Sequence, residues 1–72
     1  MVEVEIDTKL ISSFVKKAND PKATPEVKKL LKEWSKSVKG YVIRASDGKH
    51  FVVVEDKARF EELLEKIKKA VE

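Results

Sequence analysis

Two β-rich runs, residues 41–46 and 49–55, flank the dipeptide Asp47-Gly48. Asp-Gly between two such runs favours a type I′ two-residue turn, with positive φ at both positions. A turn that short fixes the register of the whole ribbon. It sets Ala45 opposite His50, Ile43 opposite Val52 and Tyr41 opposite Val54 on one side. On the other side it sets Arg44 opposite Phe51 and Val42 opposite Val53. Both sides are therefore apolar, whereas a sheet with one wet face carries polar residues there. Val42, Phe51 and Val53 form a second patch that either requires cover or is exposed for binding. The expected cover is the last helix crossing to that face, or another copy of the chain. These three residues are accordingly a candidate interface.

A lone hairpin is marginal in water, so the remaining segments must support it. Val2, Val4 and Ile6 alternate with Glu3 and Glu5, the period of a third strand. Asp7 and Thr8 offer a cap for a first helix, whose stripe is Leu10, Ile11, Phe14, Val15 and Ala18. Asn19-Asp20-Pro21 stops it, because the residue before proline is driven from helical geometry. Thr24-Pro25 restarts a helix, threonine capping and proline in the first turn. Its stripe is Val27, Leu30, Leu31, Trp34 and Val38, with Gly40 as the expected C-terminal stop. Trp34 sits in the middle of this stripe and is expected to be buried against the sheet. Asp56 caps the last helix, with Phe60, Leu63, Leu64, Ile67 and Val71 as its stripe. Exposed pairs such as Glu62–Lys66 and Glu65–Lys69 support it. The fold class that follows is α+β, in the order β-α-α-β-β-α. A three-stranded, mainly antiparallel sheet is packed by three helices, and residues 1–72 read as one domain.

Composition narrows the function classes. At 72 residues a chain buries only about 60% of its unfolded surface, so the core is small. Cysteine is absent, which removes disulfides and thiolate metal sites. No apolar run nears the roughly 20 residues that span a bilayer. The acidic, alternating start is unlike a signal peptide, so a cytoplasmic location is expected for a natural source. Lysine and glutamate dominate the charged residues and glutamine is missing. Hyperthermophile proteins share this bias, as do designed proteins whose helix surfaces are filled with strong helix formers. Both imply thermostability.

The element order resembles the eukaryotic-type KH domain, a nucleic-acid-binding module of this size. That family clamps the nucleic-acid backbone with a GxxG loop between its first two helices. Here the loop reads Asn19-Asp20-Pro21-Lys22-Ala23-Thr24, without glycine, so none of the family's binding residues carries over. The chain also resembles idealised de novo designed α/β proteins. Caps, turn, stripes and surface charges each agree with their element. Glycine occurs only at the helix stop and in the hairpin turn, and proline only at helix boundaries. This second resemblance implies a scaffold without a natural function.

No catalytic residue, metal ligand or cofactor site is expected. His50 is the only histidine, and the sequence supplies it neither a nucleophile nor the three or four ligands of a zinc site. The remaining candidate is electrostatic. Net charge is +3, and residues 21–40 hold six lysines against two glutamates, a balance of 6 − 2 = +4. Lys28, Lys32, Lys36 and Lys39 read as one basic face able to meet phosphates. With no arginine fork and no interleaved aromatic, any such binding is weak and sequence-independent. The expected function is a non-enzymatic structural domain, a designed or engineered scaffold. The alternative is a small binding module, using the lysine face for nucleic acid or the second sheet face for protein. Monomer and homodimer both fit.

Overall fold

A computed structural model describes residues 1–72. The order is β1 (Val2–Ile6), α1 (Thr8–Ala18), α2 (Pro25–Ser37), β2 (Gly40–Ile43), β3 (His50–Val54) and α3 (Lys57–Val71). The strands form one antiparallel sheet in the order β1-β3-β2, so β3 is central and the other two are edges. The expected α+β architecture is the one observed.

Each helix begins where a side-chain oxygen satisfies a free backbone donor. Asp7 accepts from Lys9 N–H at 2.9 Å. Thr24 accepts from Val27 N–H at 3.3 Å, with Pro25 in the first turn. Asp56 accepts from Arg59 N–H at 3.1 Å. Between α1 and α2 the chain closes on itself. The Asp20 carboxylate takes Lys22 N–H at 2.8 Å, and the Asp20 carbonyl takes Ala23 N–H at 2.9 Å. The exposed ion pairs on α3 are Lys57–Glu61 and Glu65–Lys68, in place of the expected Glu62–Lys66 and Glu65–Lys69.

The core is apolar throughout. Val4, Ile6, Val52 and Val54 present one sheet face to Phe14, Ala18, Val27, Phe60, Leu63 and Ile67 of the helices. All three helices therefore cover the same face. The Lys17 ammonium ties the end of α1 to the Ala70 carbonyl near the end of α3. At roughly 1.5–3 kcal/mol per fully buried large side chain, Phe14, Phe60, Ile67, Val52 and Val54 dominate the stabilisation.

Three expectations need correction. First, the connection between β2 and β3 spans residues 44–49, with four residues, 45–48, inside the Arg44–Lys49 hydrogen bond. Arg44 N–H donates to the Lys49 carbonyl at 2.8 Å, and Gly48 N–H returns to the Arg44 carbonyl at 2.9 Å. Only Gly48 has positive φ, at 69°. The register moves accordingly: Tyr41 opposes Val52, Ile43 opposes His50, Val42 opposes Phe51 and Gly40 opposes Val53. The cause is the Asp47 carboxylate, which takes Lys49 N–H two residues on, at 3.1 Å, and closes a local turn. A shift of two residues keeps every side chain on its original face, because strand alternation has period two.

Second, Gly40 does not stop α2. The helix ends at Ser37, Val38 caps it in extended geometry, and Gly40 already pairs with Val53. Third, Trp34 is only partly buried. Its ring meets Phe60 of α3, with centroids 5.4 Å apart and planes tilted by 41°. The indole thus seals the seam between two helices, while Val27 is the buried residue of α2.

Candidate functional site

The basic ridge comes first. Lys28, Lys32 and Lys36 are exposed and follow one another at four-residue spacing on α2, which places them along one row of the helix surface. Lys39 lies beyond the helix end, where its N–H donates to the Val53 carbonyl at 2.8 Å. The four lysines are therefore a row of three with one displaced member. None of them makes an ion pair; the four pairs in the structure involve other cations.

Lys36 and Lys39 also border an open cleft of about 580 Å³ between the end of α2 and the start of α3. Arg59 and Lys66 add two further cations, opposed by Glu33, Glu55, Asp56 and Glu62. The formal charge around this rim is 4 − 4 = 0. The cleft therefore adds no net positive charge to the row. The neighbouring loop 19–24 turns the Asp20 carboxylate inward on its own backbone and offers phosphate no glycine-rich cradle.

The second face of the sheet carries Glu3 and Glu5 of β1, Phe51 and Val53 of β3, and Gly40 and Val42 of β2. The last helix does not cross to it, because its buried residues Phe60, Leu63 and Ile67 all pack on the opposite face. Local side chains shield this face in part. The Arg44 guanidinium lies over the Phe51 ring, 4.6 Å from its centroid. Lys49 reaches Glu5 at 4.0 Å. Phe51 and Val53 are partly buried, and Val42 stays exposed.

The β2 edge was less visible in the sequence. Tyr41 is 51% exposed, Val42 37% and Ile43 61%. Tyr41 and Ile43 share the helix-bearing face, but the helices do not reach them. Tyr41 instead leans toward β3, where its Oη and His50 Nδ1 are hydrogen-bonded at 2.6 Å with the rings edge to face. The expected register put His50 opposite Ala45 and hid this pair. The pair has no carboxylate or nucleophile hydrogen-bonded to it, and no group of three potential metal ligands occurs anywhere in the structure.

At the hairpin, the Asp47 carboxyl is held below the usual carboxylate range. The main cause is the hydrogen bond from Lys49 N–H; the Arg44 guanidinium acts in the same direction. No helix is long and apolar enough to cross a membrane. The chain matches no protein-family model, no curated protein and no solved structure.

Proposed function

We propose that this chain is a non-enzymatic structural module, a compact scaffold of designed or engineered type. The observation that carries the reading is the interior. All ten buried residues are apolar, they come from β1, α1, α2, β3 and α3, and no buried side-chain polar atom lacks a partner. Local signals and global packing agree along most of the chain, which is the signature of a sequence selected for one stable fold. The test is thermal unfolding by circular dichroism. The reading expects one cooperative transition with a midpoint above about 90 °C, unmoved by added nucleic acid. A midpoint within the mesophile range of about 45–65 °C overturns it.

A second reading rests on a separate observation, the unpaired row Lys28, Lys32 and Lys36. On this reading the chain is a weak nucleic-acid binder that contacts phosphates without reading bases. Its affinity falls steeply with salt, with a log–log slope near −0.9 for each neutralised duplex phosphate. The triple variant Lys28→Gln, Lys32→Gln, Lys36→Gln flattens that slope. Retention of the parent's slope in the triple variant excludes the ridge.

A further inference from the structure

The two edges of the sheet differ in a way that bears on assembly. On an antiparallel edge, alternate residues turn both peptide groups toward the neighbouring strand or away from it. Arg44 N–H donates to the Lys49 carbonyl in continuation of the β2–β3 register, so Val42 and Gly40 also face inward by alternation. Tyr41 and Ile43 therefore present their N–H and C=O groups at the open edge of β2. Their side chains are exposed, and β2 is the one element that contributes no residue to the core.

Natural edges are protected by charge, proline or bulges. The β1 edge follows this rule. An antiparallel pairing of two β1 strands that keeps their apolar faces together sets glutamates opposite glutamates, and like charges in that position repel. The β2 strand reads Gly-Tyr-Val-Ile, with no charge and no proline.

We propose that β2 is a self-pairing edge, and that its occupant is β2 of a second copy of this chain. The arrangement is antiparallel about a two-fold axis at Val42. Tyr41 then opposes Ile43 of the second copy, and Ile43 opposes its Tyr41. In both pairs the outward peptide groups of one copy meet those of the other. Aromatic and β-branched side chains face each other across the junction, a favourable cross-strand combination. Val42 meets its own symmetry mate on the second face. Arg44 falls opposite Gly40, so no like charges are directly opposed along the paired strands despite the net +3 of each chain. The Tyr41–His50 hydrogen bond holds the Tyr41 ring against its own sheet, which reduces the ordering required on association. The two sheets join into one of six strands. Because β2 has only four residues, the contact is smaller than standard interfaces and the association is weak.

Sedimentation equilibrium from micromolar to millimolar concentration tests this. The expected result is a mass that rises from 8.2 kDa toward twice that value. Val42→Lys and Val42→Glu each weaken association at least tenfold, because a charge meets its own copy at the axis. An equimolar mixture of the two recovers the dimer at low salt. Should either variant fail to fold, Ile43→Lys gives the same loss from a position already exposed to water. Phe51→Lys leaves the dimer intact, since the sheet faces remain apart. A parent that stays monomeric at millimolar concentration overturns the proposal and leaves the edge to an extended segment of another protein. So does a mixture that fails to recover the dimer. Loss of the dimer in Phe51→Lys overturns it in favour of face-to-face packing.

Discussion

The contact between Trp34 and Phe60 is where removal of one side chain should tell most about how α2 is held. Phe60 is 2% exposed and belongs to the core, while Trp34 lies partly in water. Phe60→Ala opens an enclosed cavity and is expected to cost about 3–5 kcal/mol. Trp34→Ala leaves an open dent that water fills, so its cost is expected below about 3 kcal/mol, under the range for enclosed aromatics. The tilted ring pair contributes about 0.5–1.5 kcal/mol beyond area burial. That amount is the coupling expected in a double-mutant cycle built from Trp34→Leu and Phe60→Leu, which keep apolar bulk and remove the rings. A 72-residue domain has roughly 4–11 kcal/mol in total. Phe60→Ala can therefore abolish folding, whereas the leucine variants remain measurable. The assay is urea unfolding followed by far-UV circular dichroism, because Trp34 is the only tryptophan. Coupling indistinguishable from zero refutes the ring contact as a stabilising element. A Trp34→Ala cost equal to that of Phe60→Ala refutes the partial exposure of the indole.

The loop and the sheet give further expectations. Gly48→Val is expected to cost about 1–2 kcal/mol, because a β-branched residue resists the left-handed geometry seen at φ 69°; unchanged melting refutes it. Gly40→Ala is expected to be neutral or to stabilise by up to about 1 kcal/mol, since an added Cβ meets Val53 side-chain atoms at an ordinary 3.5 Å and φ there is not positive; a large loss of stability refutes it. The depressed folded-state pKa of Asp47 makes a contribution that is present above the unfolded value near 3.8 and is lost as pH falls through the lower folded value. Asp47→Asn is therefore expected to flatten the acid limb of the stability–pH curve, and an unchanged limb refutes the linkage.

Much of this fold was legible because local signals sufficed. Asp7, Thr24 and Asp56 cap the helices as their spacing implied. The alternation of Val4 and Ile6 with glutamates placed β1 in the sheet, and the helical stripes named every buried helix residue. Failures occurred where two local signals compete. Asp47-Gly48 is compatible with a two-residue turn, yet the Asp47 side chain prefers its own Lys49 N–H and enlarges the loop. Gly40 can end a helix or open a strand, and the ladder with Val53 decides for the strand. A stripe position such as Trp34 specifies the side of the helix but not the depth. Depth depends on α3, which is distant in sequence.

The candidate surfaces were legible in the same uneven way. Lys28, Lys32 and Lys36 were visible as a row because helical period alone sets their direction. That Lys36 and Lys39 share a rim with four carboxylates required α3 to be placed. The second face was visible because parity survives a two-residue error in register. Its cover was not, since the question of which helix crosses a sheet is settled by total packing rather than by any one segment. The β2 edge was the hardest to foresee. Its exposure follows from the strand order β1-β3-β2, and that order is fixed by β1 pairing with β3. Glu3 and Glu5 then protect one edge from self-pairing, while the other holds only glycine, tyrosine, valine and isoleucine. Both edges hold unpaired peptide groups, but only those of β1 are flanked by charge, and the chemistry left available at β2 is backbone hydrogen bonding flanked by apolar side chains.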